Sequence, residues 1–292
     1  MIHLDTLNSG SRQDFAAALG DIFEHSPWIA ERAFAARPFP TVAALHDAML
    51  AALDAASAEE KLALIRAHPE LGGKVAREGA MADASRREQG ALGLDRLSDA
   101  EFAAFQTLNT AYAQRFDFPF IIAVGRHTRT SILSQLARRA ANDPDTERTA
   151  ALREIGHIAR LRLVAAVDGP GKPKTDGRLS THVLNMVSGK PAAGVRVVLK
   201  EIAGDTQSVL KETVTNADGR TDEPLIGGGP LRTGWYEIEF HMGKYFAQEG
   251  VPTADPPFLD VVPIRFAIAE PEGHYHVPLI ASPWSYSTYR GS

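Results

Sequence analysis

The chain has 292 residues, about twice a typical domain, so two domains that each bury a core are expected. Its net charge of −5 divides almost evenly between the halves, which leaves no basic footprint for nucleic acid or an anionic membrane. Without cysteine, disulfides, thiolate catalysis and sulfur-ligated metals are excluded. Met1-Ile2-His3-Leu4-Asp5 lacks a basic, apolar leader and no apolar run reaches membrane-spanning length, so a soluble, cytoplasmic protein is expected.

The first half is alanine-rich and reads as successive helices. Pro27, Pro38, Pro40, Pro69, Pro119 and Pro144 punctuate it, because proline disfavours helix in the residue before it. Ser57-Ala58-Glu59-Glu60 and Ser98-Asp99-Ala100-Glu101 have capping-box spacing, each ahead of a helical pattern. Phe102, Phe105, Asn109, Tyr112 and Phe116 recur at intervals of three and four, which predicts one packed helix face. A last helix is expected from Pro144, suited to a first helical turn, to Ala166. Asp168-Gly169-Pro170-Gly171-Lys172-Pro173 then reads as a linker, assigned to residues 167–177 between a helical domain at 1–166 and a second domain at 178–292.

Beyond the linker the period changes to two. Val195 to Leu199, Trp235 to Phe240 and Val261 to Phe266 are β-rich runs separated by Gly, Pro, Asn and Asp turns, the pattern of an all-β sandwich. Side chains alternate faces along a strand. His274, His276 and Pro278 therefore share a face, His182 shares one with Ser180 and Leu184, and Ser285, Ser287 and Tyr289 line up near the chain end. Isolated histidines on strands are usually structural. A His-x-His pair also suits zinc, yet no third ligand of clear spacing accompanies this one, so no metal is assigned.

Three segments of this half, Leu179-Ser180-Thr181-His182-Val183-Leu184-Asn185, Gly273-His274-Tyr275-His276-Val277-Pro278-Leu279-Ile280 and the terminal Tyr289-Arg290-Gly291-Ser292, together resemble 5-hydroxyisourate hydrolases of the transthyretin fold. The resemblance implies a transthyretin-like sandwich in which His182, Arg220 and His276 are catalytic and Ser287, Tyr289, Arg290, Gly291 and Ser292 bind substrate. It also implies a channel between dimers of a tetramer. Arg220, in Thr215-Asn216-Ala217-Asp218-Gly219-Arg220, reads from sequence alone as a solvated turn residue. Neutral histidine can take a proton from water near pH 7, and arginine presents a planar fork to urate-like oxygens. A passive transthyretin-like ligand carrier fused to a helical interaction domain is the competing reading. It does not require the histidines or the polar chain end.

In the first half, Arg66-Ala67-His68-Pro69-Glu70-Leu71-Gly72-Gly73-Lys74 places His68 at a helix end, where imidazolium is favoured. Ser85-Arg86-Arg87-Glu88-Gln89-Gly90, the proline-broken apolar run Phe116-Asp117-Phe118-Pro119-Phe120-Ile121-Ile122-Ala123-Val124-Gly125, and Ile158-Ala159-Arg160-Leu161-Arg162-Leu163 follow. In this order the four segments resemble 2-oxo-4-hydroxy-4-carboxy-5-ureidoimidazoline (OHCU) decarboxylase. Two departures are mild: Asp117 stands where the family usually has glycine, and Gln89-Gly90-Ala91-Leu92-Gly93 varies the usual Gln-Ala-Gly-Ala-Gly. The resemblance implies His68 as catalytic acid/base with Glu88 as its partner. It further implies that Pro69, Ser85, Arg86, Arg87, Gln89, Arg162 and the backbone of Phe120, Ile121, Ile122, Ala123 and Val124 bind substrate. Arg160 competes with Arg162 for its role. No cofactor is expected, since no phosphate loop, dinucleotide fingerprint or metal cluster appears. The two resemblances support each other, because the hydrolase product is the decarboxylase substrate. A bifunctional homo-oligomer is expected, tetrameric through the second half with dimer contacts through the first. It would take 5-hydroxyisourate to S-allantoin and CO2.

Overall fold

The computed structural model describes residues 1–71 and 99–291, with side chains from Ala103 onward in the second stretch. The chain divides into two compact units. One comprises Met1–Gly125 with Ile132–Thr175, the other Asp176–Ser292 with Arg126–Ser131. Each has its own core.

The helical unit begins with α1 (Leu4–Ser9), α2 (Arg12–Leu19), α3 (Pro27–Ala33), α4 (Val42–Asp54) and α5 (Ala58–Arg66). The starts follow local chemistry. Ser11 and Thr41 accept from backbone N–H groups of their own first turns, and Ser57 and Glu60 form the expected capping box at α5. The capping box expected at Ser98 lies outside the described residues. Helix α6 (Asp99–Phe116) carries the aromatic stripe, and Phe105, Asn109, Tyr112 and Phe116 are all buried as expected. The side chain of Phe102 is not among those described. After α7 (Arg129–Arg139), α8 runs Pro144–Ala166 with Asp143 capping its first turn. Both ends of α8 fall where the proline and the following Gly/Pro stretch place them.

Asp117, which replaces the usual glycine, has φ +62°. Aspartate is one of the few residues that tolerates this left-handed conformation, so the turn survives. The Asp117 carboxylate pairs with Arg66, and Arg66 Nε donates to the Asp117 carbonyl at 3.0 Å. The stretch read as a linker begins inside this unit. Val167–Asp168 (β2) pairs in parallel with Ile2–His3 (β1), and the carbonyls of Pro170 and Gly171 accept from the N–H groups of Val42 and Ala43. Composition alone could not show this, because the partners are the first residues of the chain and the start of α4.

The second unit contains a four-stranded antiparallel sheet in the order β10-β9-β6-β7, formed by Arg196–Ala203 (β6), Thr206–Val214 (β7), Gly234–His241 (β9) and Val261–Ile268 (β10). Two further sheets hold Gly177–Ser180 (β3), Val183–Asn185 (β4), Lys190–Pro191 (β5), Ile226–Gly229 (β8), His274–His276 (β11), Leu279–Ser282 (β12) and Ser285–Thr288 (β13). Their orders are β11-β3-β8 and β13-β12-β4-β5. The core draws Leu179, Val183, Val197, Leu199, Ile238, Phe240, Val262 and Leu279 from all three, as a sandwich requires. Strand β6 starts one residue later than expected, because the Thr215 hydroxyl accepts the Val195 N–H. One short helix, α9 (Met242–Gln248), interrupts the all-β pattern and buries Met242, Tyr245 and Phe246. Seven residues are too few for a helical period to emerge from sequence. Among the described residues, no helix is long and apolar enough to cross a membrane.

The helical core also encloses a polar network. Glu147 is fully buried and Arg139 nearly so, their side chains 2.6 Å apart, with Tyr112 and Asn142 also donating to Glu147. Removing one partner of a buried pair leaves an uncompensated charge. Glu147→Met should therefore lower the stability of the helical unit by roughly 3–5 kcal/mol, read as a shift in the urea unfolding midpoint.

Candidate active sites

In the helical unit, His68 lies just past α5 and is buried. Its Nδ1 sits 2.9 Å from the Leu64 carbonyl oxygen, so Nδ1–H donates there. Nε2 is buried without a hydrogen-bond partner among the described residues. Burial pushes the imidazole pKa down, reinforced by Arg162 and His25 and opposed by the Leu64 carbonyl and Glu24. Burial thus works against the imidazolium that the helix end favours. A helix-end charge effect is worth at most about 2 kcal/mol, whereas removing a cation from water costs several.

Arg162 projects from α8, with Nη1 2.8 Å from a carboxylate oxygen of the buried Glu24. It lines a cavity of about 440 Å³ together with Asp21, Ile22, Ala123, Val124 and Ile158. Arg160, the competitor for its role, is not among the lining residues. Phe120, Ile121, Ile122, Ala123 and Val124 are all buried. Two of their backbone groups are already engaged: the Ile121 carbonyl accepts from Arg139 at 2.7 Å, and the Ala123 N–H donates to Glu154 at 3.0 Å. Pro69 is half-buried beside His68. Ser85, Arg86, Arg87, Glu88 and Gln89 lie outside the described residues, and so does the varied Gln89–Gly93 segment. Sequence reasoning missed Glu24. A single glutamate between Phe23 and His25 carries no local signal, and its importance comes from Arg162, 138 positions away.

In the second unit, strand register builds the site. Parallel pairing of β11 with β3 sets His276 opposite Ser180, and His276 Nδ1 lies 3.0 Å from the Ser180 hydroxyl. The same hydroxyl lies 3.3 Å from His274 Nε2. Thr181, Val183, Tyr275 and Val277 are buried on the opposite side, as alternation requires. His182 forms an isolated bridge with Arg220, and its buried Nε2 has no hydrogen-bond partner among the described residues. Arg220, a turn residue by sequence, is exposed yet acts electrostatically on both His182 and His276. The chain end folds back: Gly291 N–H donates to the His276 carbonyl at 2.8 Å. A Cβ at Gly291 would fall 2.7 Å from His276 Cδ2, so only glycine permits this approach. The Arg290 guanidinium lies 4.6 Å from the Tyr275 ring centre and 3.7 Å from Glu270. Ser287 and Tyr289 are exposed on and just beyond β13, and Ser292 is outside the described residues.

Burial lowers the pKa of both His182 and His276. Arg220 adds to the effect on each, and each histidine therefore offers a basic nitrogen at neutral pH. A water bound between them would find proton acceptors and, in Arg220, a cation to meet developing negative charge.

These two constellations occur where known families match. Residues 8–164 match the OHCU decarboxylase family and residues 179–291 the HIUase/transthyretin family. The chain belongs to both families. It is 60% identical over 114 residues to a 5-hydroxyisourate hydrolase of Deinococcus radiodurans, covering 39% of this chain and 95% of that protein. It is 44% identical over 165 residues to a 2-oxo-4-hydroxy-4-carboxy-5-ureidoimidazoline decarboxylase of Haloferax volcanii, covering 56% and 96%. The crystal structure of (S)-allantoin synthase is similar over 100% of both chains, at 36% identity and a TM-score of 0.54.

Because the folded pKa values of His182 and His276 lie below the ordinary histidine value of about 6.5, both imidazoles should stay neutral at pH 7 and protonate only as pH falls below that value. Histidine NMR titration of the intact chain checks this; a midpoint above 6.5 for either would contradict it.

Proposed function

We propose that this chain converts 5-hydroxyisourate to S-allantoin and CO2 in two consecutive reactions: hydrolysis in the second unit, then decarboxylation in the helical unit. The full-length likeness to (S)-allantoin synthase carries this reading, because it spans both units in one chain. The chain is a bifunctional enzyme of urate degradation, a cyclic amide hydrolase and a carboxy-lyase.

In the hydrolase, neutral His182 or His276 takes a proton from water as the oxygen adds to the ring carbonyl. Arg220 stabilises the oxyanion, and the expelled nitrogen recovers the proton. Gly291 reaches the site through its N–H on the His276 carbonyl, and the substrate-binding roles of Tyr289 and Arg290 rest on the family resemblance. In the decarboxylase, Arg162 anchors the polar ureide substrate, held in place by Glu24. The anionic substrate raises the proton affinity of His68, so the imidazole gains a proton on binding. Once CO2 has left, His68 delivers that proton to one face of the carbanion. The roles given to Glu88, Ser85, Arg86, Arg87 and Gln89 rest on the family resemblance. Oligomerisation fits the exposed edge strand β13, which with its flanks presents Trp284, Tyr286 and Tyr289 to solvent. A tetramer through this unit, with dimer contacts through the helical one, is the assembly proposed.

With 5-hydroxyisourate generated in situ, His68→Ala should leave hydrolysis rapid. The second intermediate should then persist and decay to racemic allantoin, a loss of about 10²–10⁴-fold in decarboxylation. Optically active product from this variant would remove His68 from the role. The double variant His182→Ala/His276→Ala should do the reverse, and unchanged hydrolysis in the folded protein would sink that assignment. Gly291→Ala should slow hydrolysis by displacing the chain end from His276, while the decarboxylation progress curve stays unaltered. Light scattering of the intact chain should report a tetramer; a monomer with full hydrolase activity would refute the shared channel.

A further inference from the structure

Two contacts in the helical unit bracket one residue of the segment proposed to face substrate. Arg139 Nη1 donates to the Ile121 carbonyl at 2.7 Å, and Glu154 accepts from the Ala123 N–H at 3.0 Å. Ile122 lies between these two anchored groups, and the next residues, Ala123, Val124 and Gly125, line the cavity that also holds Arg162.

The two anchors are held differently. Arg139 is fixed from every side. Its Nε and Nη2 donate to one oxygen of the fully buried Glu147 at 2.9 and 2.6 Å, and its guanidinium lies 4.6 Å from the Phe120 ring centre. Tyr112 donates to the same carboxylate oxygen and Asn142 to the other, at 2.7 Å for Asn142. The network therefore fixes the guanidinium, and through it the Ile121 carbonyl. Among the described residues, Glu154 takes part in no core network. It is half-buried on α8, two turns before Arg162, and its described hydrogen bond goes to a backbone N–H of the segment. A carboxylate on a solvent-reaching helix position would be better hydrated if it were not needed there.

Glu154 precedes Arg162 by eight positions on α8, about 12 Å along the axis and roughly 80° around it. Helix α8 thus carries both the cation that lines the cavity and, two turns earlier, the carboxylate that holds the N–H of the cavity-lining Ala123.

We infer that Arg139 and Glu154 are positioning residues of the decarboxylase: they set the 121–124 backbone at the distance from Arg162 that the substrate requires, without touching substrate themselves. This rests on the decarboxylase reading above. A misplacement of about 1 Å in a positioned group can cost 10²-fold in rate, so these anchors should appear in turnover and stereochemistry rather than in stability alone.

The test uses the full chain, with the hydrolase activity of the same molecule as an internal control. Glu154→Ala removes the acceptor, whereas Glu154→Gln keeps one oxygen able to accept the Ala123 N–H. The expected result for Glu154→Ala is a ten- to hundredfold fall in decarboxylation kcat/KM and a loss of optical purity in allantoin, with hydrolysis unchanged. Glu154→Gln should restore most of both. Arg139→Lys keeps the buried charge but loses the fork, and should show the same stereochemical loss even where its unfolding midpoint is close to that of the unaltered chain. Unaltered rate and chirality in Glu154→Ala, alongside an inactive His68→Ala, would overturn the inference while leaving the decarboxylase reading intact. An active His68→Ala would remove His68 from its role, and an unaltered chain that leaves the intermediate to decay at its spontaneous rate would overturn the decarboxylase reading itself.

Discussion

An imidazole taken out of water either gives up its proton or acquires a counter-charge, and both units are organised around that constraint. His68, His182 and His276 are each lowered in pKa first by burial and then by a neighbouring arginine. In each unit one arginine, Arg162 for His68 and Arg220 for His182 and His276, discourages the imidazolium electrostatically. For His68 one ring nitrogen is fixed by the Leu64 carbonyl, which settles the tautomer of the neutral ring and leaves Nε2 as its acceptor nitrogen.

Precise placement of such groups needs rigid surroundings, and the two units obtain rigidity by different means. The second unit relies on strand register: one pairing of β11 with β3 fixes His276 against Ser180, and a slip of one residue would turn both histidines to the opposite face. The helical unit relies on buried polar contacts. Arg139, Glu147 and Tyr112 form a closed network under the 120–124 segment, and Glu24 secures Arg162. Buried charges are not an efficient source of stability, since well-packed apolar residues often do as well. Their presence beside a proposed catalytic segment fits a role in geometry.

Much of the fold was legible because it depends on neighbours in sequence. The capping box at Ser57, the start of α8 at Pro144 and the aromatic face of α6 follow from interactions spanning four residues or fewer at a time. Strand alternation placed the histidines on their faces before any pairing was known, and the Tyr-Arg-Gly-Ser ending drew attention to the chain end. Helix α9 was not legible, because its seven residues are too short to establish a period.

The sequence by itself thus determined element types, the order of the two units and the residue types available for proton transfer, all set by local backbone preference and side-chain chemistry. The tertiary structure decided which groups meet and what charge they carry. Glu24 finds Arg162 across 138 positions, Arg139 reaches Ile121 across 18, Gly291 returns to His276, and the first strand of the chain claims part of the apparent linker. It also sets burial at His68 against the imidazolium that the helix end favours. Desolvation depends on every atom packed around the ring, whereas the helix-end preference that suggested an imidazolium is local and weaker.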